Sequence, residues 1–155
     1  MRKVVKFGGS SLASAEQFKK VGNIIKADKT RKFVVPSAPG KRDSKDTKVT
    51  DMLYACYDLA ENGKKFDAEM KAIKARYQEI IDGLSLDLSL EDEFVKIAEN
   101  FKNKAGKDYA ASRGEYLNGI IMAKYLGFAF VDAAEVIVFD DNVEFASEET
   151  NEKLK

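Results

Sequence analysis

Lys6, Gly8, Gly9 and Ser10 fall within one short run, Lys6-Phe7-Gly8-Gly9-Ser10-Ser11, close to the start of the chain. Glycines let backbone N–H groups approach phosphate oxygens, a lysine adds a point charge, and a following helix start adds its dipole. Those are the needs of phosphoryl transfer. The run matches neither the Gly-x-x-x-x-Gly-Lys-Ser/Thr loop nor the Gly-x-Gly-x-x-Gly fingerprint, so its spacing marks an anion-binding candidate with a plain turn as the alternative.

Two further groups carry useful chemistry. Ser37 and Thr50, at the ends of a polar stretch, can donate hydrogen bonds to a small ligand, and Lys41, Arg42, Lys45 and Lys48 between them can meet an anion. The competing account is a solvated charged loop, with Thr50 as the N-cap of the helix that follows. In Ser112-Arg113-Gly114-Glu115, the glutamate can receive an ammonium group, while Arg113 can pair with a carboxylate or brace Glu115. Glu115 can equally complement a helix dipole in a first turn.

What the chain lacks narrows the chemistry. It has no histidine, which removes the commonest general base and zinc ligand together. Cys56 is the single cysteine, so no intrachain disulfide and no cysteine-clustered metal site can form, and its apolar surroundings suit a small core residue. With 26 basic and 26 acidic residues there is no global field to gather nucleic acid or an anionic membrane. No run approaches the roughly 18 apolar residues that span a bilayer, and the start reaches glycine and serine before a secretory segment could develop. These features point to a cytoplasmic protein.

The elements that must position these groups follow from periodicity. Val4, Val5 and Phe7 form a β-rich run ending at Gly8-Gly9, and Phe18, Val21, Ile24 and Ile25 show helical spacing between Ser14 and about residue 28. Phe33-Val34-Val35 is a second β-branched run, broken at Pro36 before the polar loop. Ligands in open α/β sheets gather beyond the carboxyl ends of strands, so both loops should face one crevice. Helices are expected over 50–61, 64–81 and 90–103, and from about Arg113 to a stop at Gly127. The run from Phe128 to Phe139 reads as two short strands or one interrupted strand, and a serine-capped helix is expected to begin near Ser147. Its length of 155 residues suits one domain, and the alternation implies an α/β fold on a mostly parallel sheet.

Taken together, VVKFGGSS, VVPSAPGKR with KVTDMLYA, and ASRGEYLNGIIMAKYLGF with VDAAEVI resemble, in order, the segments of aspartate kinases in the amino acid kinase family. The resemblance covers nearly the whole chain. It implies the amino-terminal half of a three-layer α/β/α sandwich of the carbamate kinase-like type, with residues 1–155 as part of one kinase domain. Lys6 would contact the transferring phosphoryl group, and Phe7, Gly8, Gly9 and Ser10 would wrap the ATP phosphates. Thr50 and Glu115 would hold L-aspartate, with Ser37 in the same pocket, Glu115 on the substrate ammonium and Arg113 beside it. Pro36 departs from the small or aliphatic residue usual before that serine.

The implied reaction transfers a phosphoryl group from ATP to the aspartate side chain, the first step toward lysine, threonine and methionine. Magnesium would arrive with ATP, and a homo-oligomer is expected of the full-length enzyme. An aspartate carboxyl group has a pKa of about 3.9, so at neutral pH the nucleophile is already ionised and histidine is not needed. Aspartate kinases also carry a Gly-Arg-Gly-Gly-Ser-Asp segment and regulatory domains, none of which occurs here. The expectation is therefore an incomplete catalyst, inactive alone. The alternatives are another amino acid kinase or a non-catalytic ligand-binding module of the same fold.

Overall fold

The computed structural model describes residues 1–155. β1 (Lys3–Phe7) and β2 (Arg31–Pro36) are joined through a 3-10 turn (Gly9–Leu12) and α1 (Ala15–Lys26), and they pair in parallel. This is the βαβ unit that strand, glycine turn and helix predicted. Ser14 caps α1 by accepting a hydrogen bond from the Gln17 N–H. In the register Val5 lies opposite Val34 and Phe7 opposite Pro36. Val5, Phe7 and Val34 pack on the core, whereas Val4, Phe33 and Val35 alternate to the other face and are 68%, 51% and 50% exposed.

The remaining helices are α2 (Val49–Glu61), α3 (Asp67–Gly83), α4 (Glu91–Lys102), α5 (Lys107–Leu126), α6 (Ala133–Val136) and α7 (Ser147–Lys153). α2 packs against α3, α4 and α5, while α5 also meets α1 and β2. Phe18, Leu53, Tyr57, Ile73, Tyr77, Phe101, Leu117 and Ile121 are all but inaccessible at the centre. Burying each large apolar side chain there contributes about 1.5–3 kcal/mol. Cys56 belongs to this core, and burial, followed by the nearby charges of Glu69 and Asp67, pushes its thiol up to about 12. It remains an unreactive thiol.

Several boundaries differ from expectation. α5 begins at Lys107 rather than near Arg113, because its buried stripe continues backward through Gly114 and Ala110, residues too small to register as apolar periodicity. Glu115 consequently sits in mid-helix, where a first-turn dipole role does not apply. Lys48 rather than Thr50 occupies the N-cap of α2, and α3 starts at Asp67 instead of Lys64. Ser147 is the first residue of α7, not its cap.

The largest correction concerns residues 128–139, which form no sheet strand. The Asp132 carboxylate accepts the Ala134 N–H at 3.0 Å and nucleates α6 instead. Beyond it, Asp140 accepts the N–H groups of Asn142 and Glu144 at 2.9 Å each, closing a tight turn across a single Phe139–Phe145 bridge. A strand needs a neighbour for its backbone groups, and the parallel sheet contains only β1 and β2.

Candidate functional site

The loops leaving β1 and β2 are tied together before either reaches a helix. The Ser37 N–H extends the parallel ladder to the Phe7 carbonyl at 3.0 Å, and the Gly40 N–H donates to the Gly9 carbonyl at 2.8 Å. Here the two glycines interlock. A Cβ on Gly40 would lie 2.6 Å from the Gly9 carbonyl carbon, and one on Gly9 would lie 2.9 Å from the Ala38 oxygen. Gly8 differs, since neither a positive φ nor a protein neighbour demands a glycine there.

α5 closes the third side. Gly114 lets it approach Ala38, where an added Cβ would meet the Ala38 Cβ at 2.7 Å. This closeness brings the Ala38 N–H within 3.4 Å of Glu115 Oε1, while the Asn118 side-chain amide donates to the Ser37 carbonyl at 2.7 Å. The Val49 N–H donates to the Pro39 carbonyl at 3.1 Å, seating the first turn of α2, and with it Thr50, at the same place.

The result is a cleft of about 490 Å³ that joins Gly9, Ser10, Ser37, Thr50 and Glu115. It lies within the usual range for small-molecule sites, roughly 300–1,000 Å³. Lys41 and Lys48 also line it, and neither has an ion-pair partner, while Glu115 is its only carboxylate. The cleft thus offers two free cations and one anion, the charge pattern that a zwitterionic or phosphorylated ligand requires. A smaller cleft of about 280 Å³, between α3 and α4, contains none of the motif residues.

Other candidates lie elsewhere. Lys6 is exposed at the carboxyl end of β1 and does not line the cleft; Phe7 contributes its carbonyl to Ser37 and packs its ring on the core. Arg113 neither lines the cleft nor pairs with Glu115. Its guanidinium stacks between Tyr109 and Tyr116, 4.7 and 4.5 Å from their ring centres, and donates to Ser112 Oγ. Arg42 is engaged by Asp46 and Glu79, and Lys45 is not part of the lining.

Three residues that hold this arrangement escaped the sequence reading: Arg76, Tyr77 and Asn118. Each is a polar residue on the buried face of its helix, which is the available signal, since Ile73, Arg76, Tyr77 and Ile80 follow helical spacing. Tyr77, fully buried, donates its hydroxyl to the Gly114 carbonyl at 2.8 Å. Burial, with the charge of Glu115 adding to it, raises the Tyr77 pKa well above the phenol range and keeps the group a neutral donor. Tyr77→Phe is expected to lower stability by about 1 kcal/mol, read as a lower urea midpoint at unchanged slope.

A βαβ unit whose two loops and a helix enclose a cleft with glycine, lysine and one glutamate has the charges to hold a small anionic or zwitterionic ligand. The chain belongs to the amino acid kinase family, whose model matches residues 1–155. Among individual proteins, it is 41% identical over 142 residues to aspartokinase 3 of Bacillus subtilis (strain 168), covering 86% of this chain and 31% of that protein. The crystal structure of Clostridium acetobutylicum aspartate kinase superposes with a TM-score of 0.95 at 53% identity, over 98% of this chain and 35% of that one. Escherichia coli aspartokinase III in complex with aspartate and ADP shares the fold, with a TM-score of 0.75 at 22% identity, over 98% of this chain and 36% of that one. The chain spans about a third of the length of these relatives.

Proposed function

We propose that these 155 residues are the amino-terminal portion of an aspartate kinase domain, supplying its L-aspartate pocket and part of its ATP phosphate site. The observation that carries this reading is the cleft itself, which Glu115 and two unpaired lysines line together with the interlocked Gly9 and Gly40. Glu115 takes the substrate ammonium, and Ser37 and Thr50 hydrogen-bond the amino acid. Gly8, Gly9 and Ser10 receive the phosphates, a role that gives Gly8 a reason its intrachain surroundings do not. Lys6, at the end of β1, reaches the transferred phosphoryl group. The 53% identity to an aspartate kinase favours aspartate over the substrates of other amino acid kinases.

In the reaction, an oxygen of the substrate's side-chain carboxylate attacks the γ-phosphorus of ATP. The bond from that phosphorus to the bridging oxygen breaks, leaving 4-phospho-L-aspartate and ADP. No proton has to be removed, so positioning and charge neutralisation carry the catalysis. Magnesium arrives with the nucleotide, whose phosphates hold it while the attack takes place. No helix is long and apolar enough to cross a membrane. The enzyme is taken to be cytoplasmic, and the complete kinase to be a homo-oligomer.

Titration of the isotopically labelled chain with L-aspartate, L-glutamate and N-acetyl-L-glutamate tests the substrate. L-Aspartate is expected to give saturable amide shifts at Ala38, Thr50 and Glu115, with a weaker response to the other two. A stronger response to either would reject aspartate as substrate. A coupled ATP and aspartate assay on the same chain should show little turnover, because it spans about a third of its relatives. Turnover near that of a complete kinase would show that these residues suffice.

A further inference from the structure

Arg76 is charged, 5% exposed and on the apolar face of α3, yet it does not line the cleft. Its Nη1 donates to the Thr47 carbonyl at 2.9 Å, and its Nη2 donates to the Gly40 carbonyl at 2.8 Å. The same Nη1 lies 3.1 Å from the Asp46 carboxylate. These three partners span the loop from Gly40 to Thr47. Residues that line the cleft stand at both ends of this loop, Gly40 and Lys41 within its start and Lys48 and Thr50 just past its end.

The surface side of the loop is tied to α3 as well. Asp46 accepts Arg42 Nε at 2.8 Å, and Arg42 Nη1 donates to Glu79 at 2.6 Å. The exposed pair with Glu79 contributes little by itself, so the buried fork of Arg76 is the main fastening. A guanidinium at this depth is a poor choice for stability alone. Desolvating it is expensive, its Nε has no partner, and an apolar side chain of similar volume usually serves a core as well or better. What an apolar residue cannot do is hold two backbone carbonyls of a loop in fixed positions.

We infer that Arg76 is a positioning residue for the cleft, holding the loop from Gly40 to Thr47 against α3 so that Lys41, Lys48 and Thr50 face Gly9, Ser10 and Glu115. The inference rests on the reading of that cleft as the aspartate and phosphate site. A loop already ordered in the free protein spares the ligand the entropy of ordering it, so the fork acts on affinity without touching ligand.

Arg76→Lys tests this, because lysine keeps the charge beside Asp46 and loses the planar fork. Amide hydrogen exchange and L-aspartate titration are measured on wild type and variant, with urea unfolding alongside. In the variant, exchange over 41–48 is expected to accelerate by about tenfold or more while α4 and α5 hold their protection. The midpoint of the L-aspartate shifts should rise by about tenfold or more, beyond any change expected from global stability. Faster loop exchange with a midpoint within about twofold of wild type would overturn the positioning role, leaving Arg76 only a structural tie. Unchanged loop exchange would overturn it outright.

A wild-type chain that ignores L-aspartate would reject the substrate reading, and the exchange arm would still decide whether Arg76 fastens the loop. Should the variant fail to fold, wild-type ¹⁵N order parameters decide. Values at 41–48 of about 0.8, close to those of α3, support the fastening, and values below about 0.6 overturn it.

Discussion

Gly40→Ala is expected to weaken binding of both L-aspartate and ADP by about tenfold or more, a larger effect than one methyl group on a loop would ordinarily have. The added Cβ would lie 2.6 Å from the Gly9 carbonyl carbon, and 2.8 Å from both the Gly9 oxygen and the Ser10 nitrogen. All three are backbone atoms, so no side chain can rotate away. Gly40 is not among the positive-φ glycines, which makes the requirement steric rather than conformational. Relief must come from separating the loops after β1 and β2, at the expense of the 2.8 Å Gly40–Gly9 hydrogen bond. Overpacking of this kind costs about 1–3 kcal/mol. On the proposed reading the two loops serve different ligands, so both affinities should fall together. Calorimetric titration with each ligand checks this, and two unchanged affinities would show that the interlock does not shape the site.

Glu115→Gln should act differently, weakening L-aspartate by roughly 10- to 150-fold, equivalent to about 1.5–3 kcal/mol for one charge-assisted hydrogen bond. ADP should be affected by less than about twofold, since on the proposed reading the lost charge serves the amino acid. The substitution is nearly isosteric, and the amide oxygen can still accept the Ala38 N–H that Glu115 Oε1 accepts at 3.4 Å. Loop geometry is thereby kept while the ammonium loses its counter-charge. Equal L-aspartate affinity in the two proteins would remove Glu115 from the substrate site, whatever else the cleft binds.

The contrast between these glycine and glutamate positions marks how far sequence reasoning reaches. Gly8 and Gly9 are identical in type and adjacent, so spacing alone cannot separate their roles. In the structure Gly9 is held by contact with Ala38 and Gly40, whereas Gly8 faces open space. Arg113 and Glu115 likewise share one motif, yet two residues along a helix are separated by about 200° around its axis. Glu115 therefore lines the cleft while Arg113 stacks between tyrosines one turn either side. The start of α5 was obscured because alanine and glycine carry its buried stripe, and residues 128–139 because β-branched composition says nothing about whether a neighbouring strand is available.

The features legible along the chain are local: the two β-branched runs that become β1 and β2, the capped helix between them, and the glycine and glutamate motifs carrying the family likeness. Each depends on residues within a few positions of one another, through dihedral preference, capping or side-chain periodicity. Packing in three dimensions is what gives Glu115 and Ala38, 77 residues apart, a shared hydrogen bond, brings Gly9 against Gly40, and places Arg76 on the Gly40 and Thr47 carbonyls. Those contacts come from how α3 and α5 pack around the loops, and packing depends on the shape of distant side chains rather than on the type of any neighbour in sequence.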